Sequence, residues 1–182
     1  MSAANERFNR IYETQYLAVL AYCARRVSHS EVEEVANEVF VTLSRRIVSF
    51  DETLPLPWLY RVAYGVIRNR WRTVARTARL RARLSGLAPD LAESPDDVVM
   101  RREQDRQVVA ALYSLRPRDR EVLRLLVWEE LAVPDIAAAV GCSVSAAEQR
   151  LHRAKQRLAR ALSPQLPATS TSPQSAEQGG TR

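Results

Sequence analysis

The sequence predicts an all-α protein in which two small helical domains are joined by a flexible linker, the second of them a helix-turn-helix domain. Apolar residues recur at steps of three and four along most of the chain, which is the period of an amphipathic helix. Glycine is scarce, with 5 among 182 residues. Alternating runs of β-branched residues, which would suggest strands, are few. The predicted units are residues 1–84, a linker rich in glycine, proline and serine at 85–97, the helix-turn-helix domain 98–162 and a disordered tail 163–182.

The helix-turn-helix pattern runs from Asp135 to Leu158. Gly141 can adopt the positive φ that ends a first helix, and Ser143 or Ser145 can cap the next. The second helix carries one continuous apolar face, formed by Val144, Ala147, Leu151, Ala154, Leu158 and Leu162. Because this face must pack inward, the polar residues of the same helix are directed outward.

The outward face of that second helix has the chemistry of a DNA reader. Its residues are Ser145, Gln149, His152, Arg153 and Gln156, flanked by Arg150, Lys155, Arg157 and Arg160. Amide, imidazole and guanidinium groups suit base edges in a major groove, and cations suit the phosphates beside them. A basic, solvated amphipathic helix is the alternative, but the glycine turn and the paired first helix favour DNA binding.

The chain as a whole is basic and suits an anionic partner. Its 27 Lys+Arg against 21 Asp+Glu give a formal net charge of +6. No apolar stretch approaches the roughly 18 residues of a membrane span, and the amino terminus lacks the apolar core of a signal peptide. We therefore expect a cytoplasmic protein without membrane insertion. Cys23 and Cys142 lie far apart at apolar or turn positions, which favours buried thiols over a redox pair or a metal site.

The first block is expected to contain several helices. After an initial helix with an apolar stripe, a second helix is predicted to start at Ser30, which has capping-box spacing to Glu33. Two prolines within residues 49–57 resist helix, so we predict a loop there. A long helix is predicted to resume at Trp58.

Arginines fall within a narrow sector of this long helix, at Arg61, Arg68, Arg72, Arg76, Arg79 and Arg83. No Asp or Glu lies between Glu52 and Asp90, so the arginine stripe repels itself unless a polyanion lies along it. We interpret the stripe as a track for a DNA backbone. The alternative is a solvated helix that frays beyond Arg72.

Aromatic residues stand at the start of the stripe. Trp58 directly follows Pro57, and Tyr60 and Tyr64 come soon after it. Aromatic rings beside arginines at a loop-helix junction suit stacking on unpaired bases, although a single tryptophan is more often part of a core.

The predicted second helix has an acidic face in an otherwise basic protein. Glu34, Asn37, Glu38, Val41 and Arg45 lie opposite its apolar stripe. Charge pattern alone favours a solvated face. Docking of a protein partner is the sharper hypothesis.

Taken in order, these segments resemble the bacterial extracytoplasmic-function (ECF) sigma factors, the two-domain form of the promoter-specificity subunit of RNA polymerase. The resemblance extends from about Phe8 to Leu162. Three segments are similar to the family's region two, at residues 12–27, 31–47 and 55–72, and residues 111–158 are similar to its region four.

The resemblance implies two contacts with promoter DNA. Region four would read the minus-thirty-five element through Gln149, His152 and Arg153, with Arg150, Lys155, Arg118 and Arg120 near phosphates. Region two would melt and read the minus-ten element through the loop 49–57 and through Trp58, Tyr60, Arg61 and Tyr64, with Arg68 and Arg72 on the stripe. The chain departs from the family at Gly65, where Asn is frequent, and at Glu148, where a basic or small residue is usual.

The resemblance also implies protein partners. These are the RNA polymerase core, contacted at its clamp helices and flap, and an anti-sigma factor. Docking on the clamp helices would fall to Glu34, Asn37 and Glu38, two of which differ in length or type from the family's usual residues. No cofactor, metal or homo-oligomer is implied. The sequence has no phosphate-binding glycine loop and no metal-spaced cluster, so we do not expect an enzyme.

Two other classes of protein fit parts of the pattern. A stand-alone dimeric helix-turn-helix transcriptional regulator would use only the last motif and bind a palindromic site. A protein-interaction module would use only the first block, with its arginines incidental.

Overall fold

The computed structural model describes residues 3–51, 53, 55–85 and 103–163, and within these ranges it contains α-helices and no strand. The elements are α1 (Ala3–Ala24), a 3-10 turn (His29–Glu31), α2 (Val32–Arg46), α3 (Pro55–Ser85), α4 (Glu103–Ser114), α5 (Pro117–Val127), α6 (Val133–Val140) and α7 (Val144–Leu162). The predicted all-α class is confirmed. Apart from Ser85 and Ser163, the predicted linker up to residue 97 and the predicted tail lie outside the described residues.

Helices α1, α2 and α3 pack against one another and form the first bundle. Their apolar stripes meet in a core whose fully buried side chains include Val19, Leu43, Leu59 and Ile67. Burial of such side chains is the main stabilising contribution to a small helical bundle.

The starts of α2 and α3 differ from the sequence-based expectation. A 3-10 turn precedes α2, which begins at Val32 without a side-chain cap, so the predicted capping box at Ser30 is wrong. Helix α3 begins at Pro55, and the predicted loop is three residues shorter at this end. Proline is tolerated in the first turn of a helix, where its missing N–H would have no helical acceptor. Helix α3 continues to Ser85, through the segment beyond Arg72 where the alternative interpretation expected fraying.

Helices α4 to α7 form the second bundle and contain the predicted helix-turn-helix in α6 and α7. Gly141 ends α6 in the left-handed region, at φ 69°. The Ser143 side chain then caps α7 by accepting a hydrogen bond from the Ala146 amide at 3.2 Å. These two predictions are confirmed. The apolar face of α7 is buried only at its centre, since Val144 and Leu162 at its ends are 42% and 40% exposed.

The two cysteines are free thiols in different surroundings. Cys23 is fully buried in the first bundle, and burial raises the pKa of its thiol to about 12. Cys142 is only half-buried, in the turn between α6 and α7, so the prediction of two buried thiols is correct for Cys23 alone. None of the described helices is both long and apolar enough to cross a membrane.

Alanine substitutions at Gly141 and Gly65 are expected to change stability in opposite directions. At Gly141 the positive φ disfavours any residue with a Cβ, at a cost of about 1–2 kcal/mol. A Cβ there would also lie 2.9 Å from an Arg61 guanidinium nitrogen, which must move aside. At Gly65, within α3, a Cβ would meet nothing within 4 Å, and Gly65→Ala should stabilise by about 0.5–1 kcal/mol. Urea denaturation of both variants checks this, and equal shifts would contradict it.

Candidate nucleic-acid interface

Helix α7 presents the predicted reading face to solvent. Gln149, His152, Arg153 and Lys155 are exposed, and Arg150 is half-buried. The His152 ring and the Gln156 amide are joined by a hydrogen bond of 2.9 Å between Nε2 atoms. The hydrogen-bonding groups suited to base edges therefore share one accessible side of α7.

On α3 the predicted DNA-contacting residues are divided between surface and interior. Arg61 and Arg72 are exposed, and Tyr64 and Arg68 are half-buried. Trp58 is half-buried against Phe50, with ring centroids 4.9 Å apart in an edge-to-face arrangement. The Trp58 side chain therefore contributes to packing and is only partly accessible.

Tyr60 lies in the interior, contrary to the surface position that stacking on bases requires. It is 3% exposed and stacks on Tyr22 with ring centroids 4.6 Å apart. Burial raises the pKa of its phenol to about 12. The helical period of α3 explains the burial of Tyr60, because it lies three residues before Ala63 and seven before Ile67 on the buried side of the helix.

The basic residues at the start of α5 also differ from one another. Arg118 is exposed. Arg120 is 5% exposed and donates hydrogen bonds to the carbonyl oxygens of Tyr113 at 3.0 Å and Leu115 at 3.3 Å. Arg120 therefore ties α5 to the end of α4, and its predicted role as a DNA backbone anchor is wrong for this arrangement.

A cleft lies between the two bundles, and its two lobes have volumes of about 430 and 600 Å³. Tyr64, Arg68, Arg118 and Arg150 line both lobes. We call it the arginine cleft, after its lining arginines Arg61, Arg68, Arg72, Arg116, Arg118, Arg150, Arg153 and Arg157. The predicted DNA-contacting surfaces of α3 and α7 thus face each other across one cleft.

Charged groups buried beside this cleft join the two bundles. Arg26, just after α1, donates two hydrogen bonds to the Glu121 carboxylate, at 3.2 Å from Nε and 3.1 Å from Nη2. Its Nη1 donates to Glu129 at 2.8 Å, and the Tyr22 hydroxyl donates to Glu121 at 2.7 Å. We call these four residues the ion cluster.

The ion cluster is almost completely removed from water. The side chains of Arg26, Glu121 and Glu129 are 1%, 4% and 1% exposed. Burial by itself lowers the pKa of Arg26, but Tyr22, Glu121 and Glu129 outweigh it, so that the pKa is raised. Burial, followed by the Glu121 charge, raises the pKa of the Tyr22 phenol well above its usual range. Arg26 therefore stays charged and pairs with both buried carboxylates, and Arg25 adds a second cation to Glu129 at 2.5 Å.

Sequence reasoning missed the ion cluster because its partners are remote in the chain. Arg26 and Glu121 are separated by 95 residues. The available signal was a charged residue at an apolar stripe position, since Arg26 lies three residues after Cys23 and four after Tyr22 on α1's buried side. Such a position predicts a buried partner of opposite charge without indicating which one.

The predicted acidic surface lies on α2, away from the cleft residues. Arg70 of α3 pairs with both carboxylates there, at 3.0 Å from Glu34 and 3.1 Å from Glu38. Its hydrogen bond lowers the pKa of Glu34. The Glu34 and Glu38 side chains remain 70% and 52% exposed, and Asn37 is exposed between them. The acidic face is therefore partly neutralised and still accessible.

Comparison with known proteins places both bundles in one family. The model of sigma-70 region 2 matches residues 11–77, and the model of sigma-70 region 4 matches residues 105–158. The sigma factor YlaC of Bacillus subtilis is 26% identical over 151 residues, which cover 81% of this chain and 87% of YlaC. The sigma factor CnrH of Cupriavidus metallidurans is 28% identical over 171 residues, 86% of this chain and 87% of CnrH.

Solved structures agree with the sequence comparison. CnrH in complex with the cytosolic domain of CnrY superimposes with a TM-score of 0.56 at 25% identity, covering 85% of this chain and 86% of that one. The sigma factor RpoE of Bartonella quintana, in complex with the anti-sigma factor NepR, gives 0.62 at 21% identity and covers 85% and 96%. The latter likeness concerns the fold alone. The chain belongs to the sigma-70 family, in its extracytoplasmic-function group.

Proposed function

We propose that this sigma factor binds core RNA polymerase, directs it to promoters and helps to open the DNA there, without catalysing a reaction itself. The observation that carries the proposal is the pairing of two family regions in order with an exposed polar face on a capped α7. Opening would draw its energy from binding. We place this activity in the cytoplasm, where core polymerase acts.

The minus-thirty-five element is assigned to the second bundle. Gln149, His152 and Arg153 would contact base edges, and Arg150, Lys155 and Arg118 would contact phosphates. Exposure of these side chains, with Arg150 half-buried, supports the assignment. Each well-formed bidentate contact with a base contributes about 1–3 kcal/mol of discrimination.

The minus-ten element is assigned to α3. Arg61, Arg68 and Arg72 would follow the backbone, and the half-buried Tyr64 and Trp58 would contact unpaired bases. We leave Tyr60 out of this set because it packs in the core. Core polymerase would dock on Glu34, Asn37 and Glu38, which are accessible on α2.

The closed arrangement of the bundles must open for this function. Arg61, Arg68 and Arg118 all line the arginine cleft, so we expect the facing bundles to restrict the approach of duplex DNA to them. On polymerase the two bundles would be held apart while remaining tethered through the chain. Their separation would expose the DNA-contacting surfaces of α3 and α7, and the tether would make the second DNA contact intramolecular. We also expect an anti-sigma partner, as in the RpoE–NepR complex.

Run-off transcription across a promoter library, with core polymerase in the presence and absence of the chain, tests the proposal. We expect discrete transcripts only when core polymerase and the chain are both present. Core enzyme alone is the control for unspecific initiation. Tight binding to a palindrome by a dimer without core polymerase would instead support a stand-alone regulator.

Arg153→Ala is expected to weaken recognition of the minus-thirty-five element selectively. Arg153 is exposed on the outward face of α7, next to His152, so its loss should cost about 1–3 kcal/mol at one or two base positions. Binding to cognate and scrambled duplexes, measured at fixed salt with the isolated holoenzyme, checks this. The matched variant Arg160→Ala removes an exposed arginine nearer the end of α7 and should lack this selectivity. Equal losses on both duplexes would assign Arg153 to a phosphate.

A further inference from the structure

We propose that the arginine cleft is a binding site for a compact polyphosphate anion, and that the bound anion stabilises the closed arrangement of the two bundles. The inference rests on the proposed function only in that the closed arrangement places residues assigned to DNA in the cleft. The ligand chemistry is a linear chain of phosphates, either inorganic or carried by a nucleotide.

The arginine cleft has an excess of positive charge. Its lining arginines come from α3, from α5 with the residue before it, and from α7. Among the described residues that line it, the carboxylates are Glu121 and Asp119. Both are already engaged, Glu121 by Arg26 and Asp119 by Arg157. Within the part of the chain that the structure describes, most of the positive charge in the cleft therefore has no carboxylate counterion.

The closed arrangement brings these cations towards one point. Burial and the Glu121 charge raise the pKa of the Tyr64 phenol, whereas Arg68 and Arg118 act on it in the opposite direction. Arg68 belongs to the first bundle and Arg118 to the second, and both line both lobes of the cleft together with Tyr64. Like charges that share one cleft repel each other. An anion between them would convert the repulsion into attraction and link the bundles.

The size and shape of the cleft select the kind of anion. Lobes of about 430 and 600 Å³ fall in the range of small-molecule sites, roughly 300–1,000 Å³. Guanidinium forks pair with phosphate oxygens in a bidentate manner. Arg61 lines one lobe only and Arg153 the other only, so a chain of linked phosphates suits the whole cleft better than a single small anion does.

Binding of the anion would also weaken promoter binding. A ligand that binds only the closed form shifts the population towards it in proportion to its concentration over its dissociation constant. Because Arg68 and Arg118 are assigned to DNA as well, polyphosphate and promoter DNA would compete for the same groups in two arrangements of the chain.

Cys142 supplies a reporter for the test. It lines the cleft and is half-buried, whereas Cys23 is buried. Maleimide should therefore label Cys142 in the native full-length chain. With inorganic triphosphate, at constant ionic strength and without divalent metal, we expect slower labelling and a higher melting temperature. Arg68→Ala and Arg118→Ala should each weaken the apparent affinity by about tenfold, the loss of a charge-assisted pair.

Two further variants make the test specific. Arg46→Ala removes an exposed arginine at the end of α2, outside the cleft, and should leave triphosphate affinity unchanged. Arg26→Ala removes no cleft arginine but breaks the ion cluster, and should weaken triphosphate binding because the site needs both bundles. A nucleoside triphosphate that binds tighter than inorganic triphosphate would identify a nucleotide as the source, and equal affinity would identify the phosphate chain alone.

The proposal is overturned if chloride at matched ionic strength protects Cys142 equally, or if Arg46→Ala weakens binding as much as Arg68→Ala. Either result would mean diffuse attraction instead of a site. Promoter binding by the holoenzyme, measured without nucleotides and without inorganic triphosphate, separates this inference from the proposed function. If triphosphate protects Cys142 but the chain gives core polymerase no promoter binding, the site stands and the proposed function falls.

Discussion

Arg26→Ala is expected to separate the two helical bundles without unfolding either of them. The substitution leaves Glu121 buried without its cationic partner and leaves Glu129 with Arg25 alone, at 2.5 Å. Breaking a buried pair in this way costs about 3–5 kcal/mol. Both carboxylates sit at the contact between bundles. Opening that contact returns the carboxylates to water. The lost free energy therefore destabilises the closed arrangement, whereas the core of each bundle keeps its packing.

Small-angle scattering should show a larger radius of gyration for Arg26→Ala, with helix content by circular dichroism unchanged. The variant should also bind promoter DNA better than the parent chain in the absence of polymerase. A matched control replaces Arg26, Glu121 and Glu129 together by Met, Leu and Leu, because an apolar substitute for a buried ion pair is often neutral or stabilising. This control should remain closed. Unfolding of the first bundle in Arg26→Ala would contradict the expected separation.

Glu38→Lys is expected to abolish binding to core polymerase. The Glu38 side chain is 52% exposed and pairs with Arg70, so the reversal places a second cation beside Arg70 and removes charge from the acidic face of α2. The buried stripe of α2, including Val35, Val39 and Leu43, is untouched. The fold should therefore survive, since exposed ion pairs contribute only about 0–1 kcal/mol.

Co-purification with core polymerase, beside a thermal melt of the free chain, measures both effects. Glu33→Lys is the matched control, because Glu33 is also exposed on α2 but points about 140° away from Glu38 around the helix. Glu33→Lys should bind core normally. Normal recovery of core by a folded Glu38→Lys variant would remove Glu38 from the docking surface.

Local chemistry explains why the sequence could predict the helix-turn-helix. The left-handed turn at Gly141 and the cap by Ser143 depend on residues within one helical turn, and the buried centre of α7 follows from residue spacing alone. The same reasoning failed at Pro55 and Ser30, where several starting points for a helix were locally acceptable. Exposure of Gln149, His152 and Arg153 followed automatically once the apolar face of α7 was recognised.

Residue spacing was enough to predict the helical class, the two periodic blocks, the glycine turn and the outward face of α7. The packed molecule was needed to show that Tyr60 and Arg120 are buried, that Arg26 pairs with Glu121 and Glu129, and that the arginines of α3 and α7 share one cleft. The first set depends on contacts between near neighbours, which repeat with the helical period. The second depends on which distant surfaces meet, and many pairings of basic and acidic residues satisfy the same local pattern until the bundles are packed.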